Sequence, residues 1–176
     1  VGPDVIVSRL ADLGDRTDAM LGDITLGYAS QIGDDSLFQG QHVIIGNLVT
    51  VGNHLTVGAN VVIARSASIG DDVTIGAGTV IGPDVTIGNG TVIGEDVRIR
   101  KSTNLGERVT LYDEVRIGRS AVIGDGVEVG ANTTVRASVD IGANNSIDAD
   151  LYIQRGTIMQ PITSVPGNDP PIAVAD

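Results

Sequence analysis

The sequence keeps a six-residue beat, and that period leaves very few folds open. Counting from Ile45 in steps of six lands on Ile45, Val51, Val57, Ile63, Ile69, Ile75, Ile81, Ile87, Ile93, Ile99, Leu105, Leu111, Ile117, Ile123, Val129, Val135, Ile141, Ile147, Ile153 and Met159. All 20 positions are aliphatic, and Gly follows 13 of them. An α-helix turns every 3.6 residues and loses a six-residue register within two turns. A period this long fits a short strand and a turn, repeated as stacked rungs of a solenoid around one continuous core.

Composition narrows the reading further. Aromatic residues are 2% of the chain, which excludes a core built on Phe, Tyr and Trp. Ile and Val must fill the interior, and β-branched side chains suit half-buried strands. The 24 Gly fall mostly at one phase of the repeat, so they answer a steric demand at a turn rather than signalling disorder. A net charge of −11 argues against a nucleic-acid or anionic-membrane partner, and no apolar run is long enough to span a bilayer. Cysteine is absent, which removes disulfide and thiol chemistry. The sequence starts at Val1 without a basic and apolar leader, as expected of a processed exported protein or a piece of a longer one. The expected location is extracellular or on a prokaryotic cell surface, with the cytoplasm as the alternative.

Three segments follow from the beat. Residues 1–18 do not keep it: Val5-Ile6-Val7 reads as a short strand and Ser8 to Leu13 as one or two helical turns, together an N-terminal cap or arm. Residues 19–159 are the repeat, entered through Met20, Leu26, Ile32 and Phe38. The step from Phe38 to Ile45 is seven residues rather than six, so one turn holds an extra residue as a local bulge. Residues 160–176 contain Pro161, Pro166, Pro170 and Pro171, which forbid further ladder pairing and predict an extended tail or linker.

Ile69-Gly70-Asp71-Asp72-Val73-Thr74, Ile75-Gly76-Ala77-Gly78-Thr79-Val80, Ile81-Gly82-Pro83-Asp84-Val85-Thr86 and Ile87-Gly88-Asn89-Gly90-Thr91-Val92 resemble the hexapeptide repeat of the left-handed parallel β-helix superfamily. The resemblance implies an all-β solenoid in which three hexapeptides form one 18-residue triangular coil. The aliphatic residue points inward, as does a small residue two positions earlier, here Val49, Leu55, Val61, Ala67, Val73, Thr79 and their successors to Thr133. At roughly 4.8 Å per coil, the strict region predicts a rod about 30 Å long. Asn145 in an inward slot marks the approach to the end.

Folding the sequence by 18 sorts the charges by corner. One corner collects Arg65, Arg100, Lys101, Arg119, Arg136 and Arg155, a basic ridge. A second collects Glu95, Asp96, Asp113, Glu114, Asp148 and Asp150 with no base, and the third is mixed. Six of the eleven basic residues thus share one edge of an acidic rod. This pattern leads to the expectation of a structural, self-associating protein, a surface-layer, sheath or filament component, whose basic ridge meets the acidic corner of another copy. No cofactor is expected, apart from a weak Ca²⁺ candidate at Glu95, Asp96, Asp113 and Glu114.

Two other readings stand beside it. The superfamily includes acyltransferases, which generally use a His as general base in a cleft between subunits of a trimer, and only His42 and His54 are available for that role. They fall on different corners, and the sequence supplies neither with an evident partner. The carbonic anhydrases of the superfamily gather three His ligands across a subunit boundary; the Arg-Asp and Gln-Asp motif segments of that branch are absent here and the spacing of His42 and His54 does not match it. The third reading is a module of a longer bacterial adhesin. The tail from Ser164 to Asp176 looks like linkers that introduce immunoglobulin-like or cadherin-like repeats.

Overall fold

The computed structural model describes residues 5–9, 11–16, 18–19 and 23–162. Those residues form a left-handed parallel β-helix with no helical segment. Its strands build three flat faces. Face I runs from Val5–Val7 through Ile24–Leu26, Val43–Ile45 and onward to Tyr152–Ile153. Face II runs from Asp12–Leu13 to Ile158–Met159, and face III from Asp18–Ala19 to Ser146–Ile147. Each strand pairs in parallel with the strand one coil away, giving sheets of nine, nine and eight strands. Most strands are two residues long, one facing out and one facing in, so a rung cannot bury its own apolar side. Stacking does that work.

From Val43 onward the coil is 18 residues and the register holds, as in Ile45↔Ile63↔Ile81↔Ile99. The first coils are longer by one residue, because Val5 pairs with Ile24 and Ile24 with Val43. One insertion lies in the corner at Gln39–His42, as the sequence predicts. The expected beat residue Met20 lies outside the described residues, and the residue in register with Phe38 is Ala19. The helical turns expected between Ser8 and Leu13 do not form: Asp12–Leu13 is a strand paired with Gln31–Ile32. Tail residues 163–176, including the linker-like Ser164–Asp176, lie outside the described residues.

The beat residues fill the core. Ile63, Val57 and Ile81 are fully buried, and so are the smaller inward neighbours Val49, Val73 and Val97. Where Thr takes the smaller slot, its hydroxyl must find an acceptor. Thr103 donates to the carbonyls of Arg100 at 2.8 Å and Gly118 at 2.9 Å, and Thr79 donates to Gly94 at 3.0 Å. At the C-terminal end the Asn145 amide caps two turn carbonyls, Gly142 at 2.8 Å and Gln160 at 2.9 Å.

The corners explain the glycines. A Cβ on Gly88 would lie 2.5 Å from the Gly106 carbonyl carbon of the next coil, so the close approach of stacked backbones excludes a side chain there. The last residue of each turn has a different constraint: it sits in the left-handed region, from Leu48 at φ 57° to Asp150 at φ 61°. Leu48 bears that strain on an exposed side chain. Leu48→Gly is expected to raise stability by about 0.5–1 kcal/mol, read as a higher urea midpoint with unchanged slope.

Candidate functional site

The corner between faces II and III has Gly at the first turn position of every coil from Gly14 to Gly142. Its middle positions form a ladder in which a carboxylate or amide oxygen accepts a backbone N–H of the preceding coil. Asp34 N–H donates to Asn53 Oδ1 at 2.9 Å, Asn53 N–H to Asp71 Oδ1 at 2.7 Å, and Asp71 N–H to Asn89 Oδ1 at 2.9 Å. These bonds satisfy donors that a tight corner leaves without a sheet partner. They also hold the adjoining column of left-handed residues in line: Arg16, Asp35, His54 and Asp72.

Among the described residues, that column contains the one histidine that takes part in an ion pair. His54 Nδ1 lies 3.2 Å from Asp72 Oδ1 and Nε2 lies 3.8 Å from Asp35 Oδ2. Arg16 Nη2 approaches the same Asp35 oxygen at 2.6 Å. The backbone fixes the stack, since His54 N–H donates to the Asp34 carbonyl at 2.9 Å and Asp72 N–H to the Asn53 carbonyl at 2.9 Å. With Asp35 engaged by Arg16, the shorter His54 contact is to Asp72. A proton on Nδ1 facing Asp72 leaves the Nε2 lone pair available, the arrangement in which a carboxylate orients an imidazole for proton transfer. The His54 side chain is 58% exposed, so Nε2 is reachable from outside. The expectation that neither histidine has a partner is therefore corrected for His54. His42 stands exposed in the corner between faces III and I, at φ 58° beside the inserted residue, and no ion pair involves it among the described residues.

The acidic residues of the III–I corner do not converge on a cation. Glu95 N–H donates to Asp113 Oδ1 at 2.8 Å, so that carboxylate is already bound to the corner backbone, and Asp96 and Glu114 occupy the left-handed column beside it. Among the described residues no group of three or more His, Asp or Glu side chains is placed to hold a metal ion, and Glu95, Asp96, Asp113 and Glu114 are no exception. Asp148 and Asp150 lie on the same corner, farther along and exposed. The six ridge residues do share one corner, between faces I and II. Arg65, Lys101, Arg119 and Arg155 take its middle position, while Arg100 and Arg136 take its first.

A model of the GMPPB C-terminal domain matches residues 66–166, more than half of the chain. The chain belongs to that family. A second model, the hexapeptide repeat of succinyl-transferase, matches residues 48–83, overlapping the first at residues 66–83, and agrees with the hexapeptide superfamily. Among solved structures, LpxA from Acinetobacter baumannii shares the fold with a TM-score of 0.60 at 15% identity, covering 85% of this chain and 65% of that one. The chain thus spans slightly less than two thirds of that protein. LpxA from Bacteroides fragilis, a UDP-N-acetylglucosamine acyltransferase, matches at TM-score 0.46 and 18% identity over 90% of this chain and 66% of its own. The polySia-specific acetyltransferase NeuO matches at TM-score 0.43 and 13% identity over 94% and 89%. No curated protein matches the sequence.

These matches overturn the reading of the chain as a surface-layer, sheath or filament component. The families whose models match are the GMPPB C-terminal domain and the hexapeptide repeat of succinyl-transferase, neither of them a sheath or surface-layer component. The regularity that pointed to assembly is a property of the coil, whatever function it serves. Among the described residues no helix is long and apolar enough to cross a membrane.

Proposed function

We propose that this family member is a hexapeptide-repeat acyltransferase in which His54 is the general base and Asp72 its positioning residue. The observation that carries the reading is the Asp35–His54–Asp72 stack, with Nδ1 at 3.2 Å from the Asp72 carboxylate, Nε2 at the longer 3.8 Å from Asp35, and the side chain 58% exposed. In such a reaction Nε2 takes the proton of an acceptor hydroxyl or amine as that atom attacks the thioester carbonyl of an acyl donor. The tetrahedral intermediate then collapses, the C–S bond breaks, and the imidazolium returns its proton to the leaving thiolate. An exposed base on a flat-sided rod lacks walls to exclude water, so a neighbouring copy would complete the cleft. A trimer is the arrangement that the superfamily resemblance implies.

The test is thiol release from an acyl-coenzyme A panel in the presence of sugar hydroxyl and amine acceptors. Acceptor-dependent turnover supports the proposal, and its absence across the panel with a folded oligomer counts against it. Asp72→Asn keeps the shape of the side chain and removes its charge. It is expected to lower kcat by about 10- to 100-fold with KM nearly unchanged, because the carboxylate orients the ring and touches no substrate. A rise in KM alone would place Asp72 in acceptor binding instead.

A further inference from the structure

We infer that face I carries a second site, remote from His54, that binds a ligand presenting two or more phosphate groups. The site is a shallow open depression of about 460 Å³ over the later coils, and six arginines line it: Arg98, Arg100, Arg116, Arg119, Arg136 and Arg155. Its remaining lining is Thr134 and apolar or backbone surface, with no carboxylate. The ridge of the I–II corner supplies four of these cations. The other two, Arg98 and Arg116, project from face I itself and are register partners on adjacent strands. Like charges placed directly opposite in a sheet destabilise it, and here six are gathered on a chain whose net charge is −11. Among the described residues none of the six takes part in an ion pair. No carboxylate of the chain lines the depression to balance them.

The arrangement also fits the class of anion. Guanidinium groups present paired donors that match phosphate oxygens in two-bond geometry, and a single small anion would leave most of the six unmatched. Arg136 is already fixed: it donates from Nη1 to Tyr152 Oη at 2.7 Å, and its guanidinium carbon lies 5.6 Å from the centre of the Tyr152 ring. That tether removes part of the ordering cost of binding. The same phosphate chemistry is available from a soluble diphosphate or from lipid headgroups, and the site is defined by what the two share.

Calorimetric titration of the full chain with inorganic pyrophosphate at low salt, beside co-sedimentation with phosphatidylglycerol vesicles, separates these sources. Saturable binding of pyrophosphate is expected, weakened about tenfold by Arg116→Gln and likewise by Arg98→Gln. Arg65→Gln, on the same ridge but outside the depression, is the control and should change affinity by less than about twofold. Vesicle binding lost in Arg116→Gln, without pyrophosphate binding, would assign the headgroup as the source. Binding of neither probe would overturn the site, as would equal weakening by Arg65→Gln or equal affinity for citrate. All six arginines are exposed, so the substitutions remove no core packing, and the readout is independent of acyl transfer.

Discussion

His54→Ala is expected to lower acyl transfer by about 10²- to 10⁴-fold, while His42→Ala leaves it within about twofold. The asymmetry follows from what each imidazole touches. Both histidines are exposed, both end a corner turn, and both have a left-handed backbone, at φ 57° for His54 and 58° for His42. Exposure and conformation therefore do not separate them. His54 has a carboxylate on either side in its own column, with Asp72 at 3.2 Å and Asp35 at 3.8 Å, whereas His42 is in no ion pair among the described residues. A base without an orienting group samples several ring rotamers and offers the wrong nitrogen for part of the time. Steady-state rates for the two variants decide the matter. A larger loss in His42→Ala would move the site to the III–I corner, and equal losses would point to a shared structural effect.

His54→Ala also tests whether the histidine is there for its turn. The left-handed region admits Asn and Asp readily, and His among the larger residues, so the corner alone could account for its presence. His54→Asn should preserve the turn and its stability while still abolishing turnover. Retained turnover in His54→Asn would remove the base from the proposal and leave a corner residue.

The fold could be read from the sequence because a period of six survives any local irregularity. Ile45, Ile63, Ile81 and Ile99 pair as counted, and the small inward slots hold the residues expected. The ridge could be read for the same reason, since 18-fold counting is sound wherever the coil has 18 residues. What failed was counting across the insertions. His54 minus 18 is Ser36, a buried residue that donates to the Gly33 carbonyl, whereas the residue above His54 is Asp35. One extra residue at Gln39–His42 hid that partner, although Asp72, a full 18 residues ahead, was in plain view. Arg98 and Arg116 escaped for another reason. They lie on a strand rather than at a corner, and sorting charges by corner discards the outward strand position.

Ile93→Ala should be the most damaging single change to stability, at about 2–5 kcal/mol. Ile93 is 1% exposed and pairs with Ile75 in one direction and Leu111 in the other, so the cavity opens against both neighbouring coils. In a solenoid each rung is held only by the rungs beside it, so loss at a central rung weakens the coupling between the two halves as well as the rung itself. Urea unfolding followed by circular dichroism should then show a lower midpoint and a broadened or stepped transition, the mark of halves melting apart. Ile153→Ala removes the same atoms near the C-terminal end, where the side chain is 6% exposed and few coils lie beyond it. Its cost should be smaller, about 1–2 kcal/mol, and its transition should remain single, because fraying of a terminal rung leaves the rest of the stack intact. Equal losses for the two variants would mean that the rod melts as one undivided unit, and the nearest-neighbour account of its stability would not hold.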